Sequence, residues 1–285
     1  MTRNLATDEA LPEAAEHLRA GIQSVEVGFE LLKALSNACG ALMLRDLAAA
    51  AGMSAAKAHR YLVSFQRMGL VVQDPMSTRY DLGPAALRLG LASLSRIDAV
   101  KLARGRLADL LQETGHTLAI AVWGNRGPTL VHWSEAPQAV PVTLRLGDVM
   151  PLLTSATGRC FAAFMGAEGS DAQRIAPMVR DELARLKKLP QTGAPLNDVP
   201  RTLQHVQTLL DETRAHGLGR VVHSLLPGVG AFCAPVFDAQ GRLALGLVLL
   251  GSVATLDTAW NGAPASALKA CAGQLSADLG HPPAR

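Results

Sequence analysis

Several kinds of chemistry are missing from this 285-residue sequence. Its four cysteines, Cys39, Cys160, Cys233 and Cys271, are widely spaced and form no CxxC pair. That removes the usual zinc-ligand spacing and the dithiol redox motif, and each thiol reads as a small buried apolar residue. No metal and no cofactor are expected. No uninterrupted apolar run approaches the ~18 to 20 residues of a membrane span. The opening Met1-Thr2-Arg3-Asn4-Leu5-Ala6-Thr7-Asp8-Glu9-Ala10 has acidic residues and no apolar core, unlike a signal peptide. A cytoplasmic protein with no membrane partner is therefore the expectation. The nucleophile elbow GxSxG, the phosphate-binding P-loop and the metalloprotease HExxH are absent too. His132, His205, His216 and His223 have no Ser or Asp at a recognisable motif spacing, so the chain is not expected to be an enzyme. Thiol catalysis by Cys160 or Cys233, with a histidine brought close by the fold, is the enzymatic alternative.

Charge of one sign is scarce as well, with a net of +3, but it is unevenly placed. Residues 20–110 hold eleven Lys and Arg against seven Asp and Glu, residues 1–19 hold two against four, and the remainder fourteen against thirteen. The basic excess lies in the first third of the chain, as contact with phosphates requires. Because it is modest, it predicts that affinity comes from a symmetric dimer engaging two half-sites.

That basic third carries a complete DNA-reading pattern. Leucine- and alanine-rich residues 44–51 read as a short helix, and Gly52-Met53-Ser54 as a sharp turn with Ser54 capping the next helix. Over residues 55–68, Ala58, Tyr61, Leu62 and Phe65 share one helical face while Lys57, Arg60, Ser64 and Arg67 share the opposite one. Gly69 ends that helix, and residues 70–73 and 79–82 read as strands joined by Asp74-Pro75-Met76-Ser77-Thr78. With the amphipathic helix at residues 24–35, this is a winged helix-turn-helix whose partner is double-stranded DNA. Its second helix is expected in the major groove and its hairpin along the backbone. Lys57, His59 and Arg60 are the candidate readers, and Ser54 offers a phosphate site at the helix N-terminus. Arg45, Ser77, Thr78 and Arg79 are the candidate backbone contacts.

Taken together, the motifs resemble the IclR family of bacterial transcriptional regulators. Ser24-Val25-Glu26, Leu47-Ala48, His59-Arg60, Gln73-Asp74-Pro75 and Arg79-Tyr80-Asp81-Leu82-Gly83-Pro84 carry the likeness in the first third. Leu87-Arg88-Leu89-Gly90, Gly147-Asp148-Val149-Met150-Pro151-Leu152, Thr154-Ser155-Ala156-Thr157-Gly158-Arg159, Pro227-Gly228-Val229 and Ala234-Pro235-Val236-Phe237-Asp238 carry it onward. The resemblance implies an α+β protein. Its parts would be an N-terminal winged helix-turn-helix, a linker helix and a C-terminal GAF-like α/β effector-binding domain, assembled as a homodimer or homotetramer. The family commonly opens its recognition helix with Lys-Ser-Thr where this chain has Ala55-Ala56-Lys57, so a different operator is implied.

The expected organisation is a flexible leader over residues 1–20, a winged helix-turn-helix over 21–83, a linker helix over 84–98 and an effector-binding and oligomerisation domain over 99–285. Leu87, Leu91 and Leu94 form a stripe suited to a second subunit. Asp98 caps a helix that ends at Gly115. Strands are expected at 117–123, 129–135, 141–145, 232–237 and 243–250, helices at 156–165, 201–216 and 263–279, and a loop at 189–200.

The resemblance places Met150, the turn Ala156-Thr157-Gly158 and positions on the late strands in an effector pocket. Relatives that sense small keto acids grip them with an Asp, a Cys and two Ser, and here Val221, Ala231, Val248 and Leu250 stand at those places. An unpaired carboxylate against such walls costs several kcal/mol. The expected effector is therefore a larger, mostly apolar molecule, aromatic with one polar end. Trp133 offers a stacking surface, and His132, Arg145 or His223 a partner for that end. The alternatives are a second domain that only oligomerises, or a GAF-like-domain enzyme with an appended winged helix.

Overall fold

A computed structural model describes residues 21–137, 144–165, 169–188 and 198–282, which divide into two compact units at Arg96 and Ile97. The leader lies outside the described residues, as do most of the expected strand at 141–145 and of the loop at 189–200.

The first unit runs α1 (Gln23–Asn37), α2 (Leu44–Ala50), α3 (Ala55–Arg67), β1 (Val71–Gln73), β2 (Tyr80–Leu82) and α4 (Pro84–Leu94). Leu31 and Leu35 of α1, Leu47 and Ala48 of α2, and Ala58 and Leu62 of α3 are buried in one core with Val71 and Tyr80 from the hairpin. The α2–α3 turn passes through Gly52 at φ +64°, a left-handed conformation that glycine adopts without a Cβ clash. β1 and β2 pair antiparallel, Val71 opposite Leu82. The wing holds one element the sequence pattern did not reveal. Leu42 exchanges backbone hydrogen bonds with Tyr80 at 2.9 and 2.8 Å, tying the segment before α2 to β2.

The second unit begins with α5 (Ala99–Thr114), capped by Asp98, which accepts from the amides of Val100 and Lys101. It continues with β3 (Thr117–Gly124), β4 (Gly127–Ser134), α6 (Ala156–Met165), α7 (Gly169–Lys188), α8 (Leu203–His216), β5 (Gly219–Val222), β6 (Val229–Phe237), β7 (Leu243–Ser252) and α9 (Ala263–Asp278). The five strands form one antiparallel sheet in the order β4-β3-β7-β6-β5. Two-residue alternation divides their side chains between the faces. Leu118, Ile120, Phe232, Ala234, Leu245, Leu247 and Leu249 pack with α5 and α9, while Ala119, Ala121, Cys233, Val248 and Leu250 pack with α6. α6 is buried from Ala156 to Ala163, because α7 and α8 cover the side turned away from the sheet. A helix covered all round is expected to be mostly apolar, and α6 is so except at Thr157 and the buried Arg159.

One expectation needs correction, and two elements were missed. Leu144 and Arg145, the described part of the expected strand at 141–145, are not in a strand. α7 and the edge strand β5 were not delineated from sequence at all. α7 carries Pro177 inside it, and a proline lacks the amide that continues a helix. β5 is four residues long, too short for a periodic signal.

Candidate DNA interface and effector pocket

In the first unit the expected DNA contacts fall on α2, α3 and the wing. Ser54 caps α3 by accepting from the Lys57 amide at 3.4 Å. Lys57 is half-buried, while His59 and Arg60 are exposed on the side of α3 away from Ala58 and Leu62. Arg45 is exposed on α2. The wing turn is organised by Asp74, whose carboxylate accepts from the Met76 and Ser77 amides at 3.1 Å each and from the Ser77 hydroxyl. The Ser77 hydroxyl, then the two amides, hold the Asp74 carboxyl below its ordinary range. Thr78 sits at φ +56°, and Arg79 donates to the Ala41 carbonyl at 3.0 Å. Ser77 and Arg79 thus also shape the wing, a duty invisible in the sequence because Ala41 is far away along the chain.

In the second unit a cavity lies between the N-terminal end of α6 and the sheet. Of the effector-site expectations, Met150, Ala156, Thr157, Val221, Ala231, Val248 and Leu250 line it. Register explains the grouping, since Val221 pairs with Ala231 and Ala231 with Leu250. Trp133 and Gly158 do not line it. Trp133 packs into the same core from edge strand β4, opposite Ala119, with β3 and β7 between it and β6. Gly158 lies against the Pro151 carbonyl so closely that no Cβ fits, which fixes α6 on the turn before it. His132, Arg145 and His223 are also not among the lining residues. His132 pairs with Ser134 at 3.3 Å, and His223 accepts from the Gly228 amide at 3.0 Å. Residues the pattern did not single out complete the wall: Leu144, Ser155, Leu225, Leu226 and Val229. Ser155 is internally satisfied, donating to Pro151 at 2.6 Å and accepting from Gly158 at 2.8 Å. The Thr157 hydroxyl makes no hydrogen bond among the described residues. The cavity offers the centres of water molecules about 40 Å³, far below the volume of an open ligand site.

Two polar groups, the buried Arg159 and the half-buried Glu182, hold the backbone beside this cavity. Arg159, 3% exposed, donates from Nε to Leu153 at 2.8 Å and from Nη1 to the Asp198 carboxylate at 2.8 Å and the Arg220 carbonyl at 2.9 Å. Its Nη2 donates to the Asp198 carbonyl. Asp198 in turn accepts from the Ser224 hydroxyl at 2.8 Å. Glu182 of α7 accepts from the amides of Leu152 at 2.6 Å and Leu153 at 3.0 Å. Burial raises the Glu182 carboxyl, and those amides act against the rise. Neither role was legible, because the partners are backbone groups brought near by the fold.

The chemistry of the cysteines opposes a nucleophilic role. Burial pushes the Cys160 thiol well up, with the neighbouring Cys233 adding to the effect, whereas a reactive thiol needs the reverse. Among the described residues there is no cluster of three or more His, Cys, Asp or Glu able to hold a metal ion. Nor is any helix long and apolar enough to cross a membrane.

Comparison with known proteins agrees with this division of labour. Residues 24–75 match the IclR helix-turn-helix domain, and residues 91–277 match the bacterial transcriptional regulator IclR C-terminal domain. The glycerol operon regulatory protein of Streptomyces griseus is 30% identical over 264 residues, spanning 91% of this chain and 97% of that protein. The HTH-type transcriptional regulator XynR of Escherichia coli is 24% identical, spanning 92% and 98%. Among solved structures, Pseudomonas aeruginosa HmgR is similar with a TM-score of 0.79 at 38% identity, covering 92% of this chain and all of that one. The Agobacterium tumefaciens repressor BlcR shares the fold at 19% identity, with a TM-score of 0.72.

Proposed function

The chain belongs to the IclR family of bacterial transcriptional regulators, and from that premise we propose that it is a ligand-responsive regulator of a palindromic operator. Lys57, His59 and Arg60 of α3 read the bases, and Arg45, Ser54, Ser77, Thr78 and Arg79 contact the backbone. The effector is a mostly apolar, aromatic molecule with one polar end, held by Met150, Val221, Ala231, Val248 and Leu250 at the start of α6. The observation that carries this reading is the chemistry of the wall: among the described residues no charged side chain lines the cavity, and the Thr157 hydroxyl there makes no hydrogen bond. Screening by calorimetry with aromatic acids and short keto acids tests it. Tight binding of pyruvate or glyoxylate, with no response to any aromatic compound, overturns it.

The functional unit is a homodimer or homotetramer paired partly through α4. Leu87 and Leu91 are 64% and 56% exposed, a large apolar area for a free helix. Leu94, the third residue of the expected stripe, has no described side chain. Light scattering at micromolar concentration should give at least a dimer, and a monomer that still protects a half-site contradicts the assignment.

The tightness of the cavity favours one competing reading, a second domain that assembles copies and senses nothing. A ligand that binds the folded state raises its melting temperature by mass action, so a flat thermal-shift screen supports that reading.

A further inference from the structure

The apolar cavity has a neighbour, and the two share a single lining residue, Met150. The neighbour is much larger, about 410 Å³ by the same measure against about 40 Å³. Met178, Leu152 and Leu186 give it an apolar floor, and Arg126, Glu182 and Arg185 give it charge. Glu182 is already engaged by the Leu152 and Leu153 amides. Arg126, at the β3–β4 hairpin tip, makes no ion pair among the described residues. Arg185, in the last turn of α7, makes none either and donates only to the Asp181 carbonyl at 3.4 Å. Two guanidinium groups against one committed carboxylate leave the cavity with an excess positive charge.

We propose that the effector is an amphipathic organic acid that occupies both cavities, its ring in the apolar chamber and its carboxylate between Arg126 and Arg185. This rests on the apolar-effector reading above and adds where the polar end goes. Size makes the first part of the argument. An apolar cavity that takes up benzene has roughly 150 Å³, so the chamber cannot admit a ring without enlarging. Met150 is the partition that can move. Its amide donates to the Pro128 carbonyl at 2.7 Å, and the Asp148 carbonyl two residues earlier accepts from Leu130 at 3.0 Å, so its backbone is fastened to β4. Its side chain is unbranched and has three torsions with which to turn aside. Turning it joins the chambers into one site, apolar at the sheet and cationic at the mouth.

Charge makes the second part. A carboxylate inside the apolar chamber has no cationic partner among its lining residues, whereas at the mouth it meets guanidinium groups shaped to bind it bidentately. Acid and ring are thereby accommodated in one molecule without burying an unpaired charge.

The test is calorimetry on the full-length protein with matched pairs: benzoate and benzamide, phenylacetate and phenylacetamide, 3-phenylpropionate and its amide. At least one acid should bind about tenfold or more tighter than its own amide. In an Arg126→Gln/Arg185→Gln variant of unchanged melting temperature, that advantage should shrink to within about twofold while amide affinity holds. Amides that match their acids in the unaltered protein overturn the carboxylate site and leave the apolar-effector reading standing. So does a double variant that keeps the acid's advantage. Binding of pyruvate or glyoxylate alone, or of no compound in the panel, overturns both. Met150→Ala should speed association of the preferred acid without changing its preference over the amide, and slower or unchanged association removes Met150 as the partition.

Discussion

The two faces of the five-stranded sheet come from the same strands but from side chains of different size. Toward α5 and α9 the rows carry Leu118, Ile120, Phe232, Leu245, Leu247 and Leu249, all buried. Toward α6 the same strands carry the mostly smaller Ala119, Ala121, Ala231, Cys233, Gly246 and Val248, with Leu250 toward the end of β7. The smaller residues leave room for a helix to approach at one end and for a cavity at the other. α3 repeats the contrast on a smaller scale, with Ala58 and Leu62 packed and His59 and Arg60 exposed. In each case one side of an element is tightly packed while the opposite side carries the residues proposed to meet a ligand.

Substitutions on opposite sides of that divide should therefore fail in different ways. Phe232→Ala, on the packed face, should cost ~3 to 5 kcal/mol of stability through the cavity it leaves, read as a lower denaturant midpoint. A change under ~1 kcal/mol would show that this face packs as loosely as the other. Arg159→Met should cost about 2 to 4 kcal/mol, below the usual value for a broken buried pair because Asp198 keeps 30% side-chain exposure. The midpoint should fall without a change in slope, and a stable variant would mean that the rim is held by packing alone.

On the α6 face and on α3 the damage should appear in binding, with a stability cost added where the residue is also packed, as at Val248 and Leu250. Val248→Ser and Leu250→Ser should each weaken a bound aromatic effector by on the order of 1 to 3 kcal/mol, measured by calorimetry. Undiminished binding would remove β7 from the site. Arg60→Ala should leave the melting temperature unchanged and weaken operator binding by ~1 to 3 kcal/mol if the contact is to a base. Equal weakening on random DNA would reassign Arg60 to the phosphates, and unchanged mobility shifts on both DNAs would take it out of the interface.

How much of this the sequence discloses depends on whether the signal is local. The wing and its helices were legible because Gly52, Ser54 and Gly69 mark their ends within a few residues. β3, β6 and β7 were legible as short apolar runs joined by turn residues. A β-bulge in β4 puts Trp133 on the same α6 face as Leu130, which strict alternation does not, and register shows that β3 separates it from the pocket strands. α7 has Ile175, Val179, Leu183 and Leu186 at helical spacing, a pattern interrupted to the eye by Pro177. The assignments of Arg159, Glu182 and Arg79 were beyond reach, since each donates to or accepts from backbone groups whose positions only the fold supplies.

The guanidinium of Arg159 grips the pocket from both sides. One nitrogen holds Leu153, just before α6, and another holds Asp198, which holds Ser224 beside Leu225 and Leu226. The two margins are thus joined through one cation, like the halves of a clasp. An occupant that presses on either margin strains bonds on the other, so the frame yields as a unit or not at all. Amide hydrogen exchange at Leu153 and around Ser224 should accordingly slow together when a ligand binds. Independent responses of the two segments would show that the clasp is open in solution.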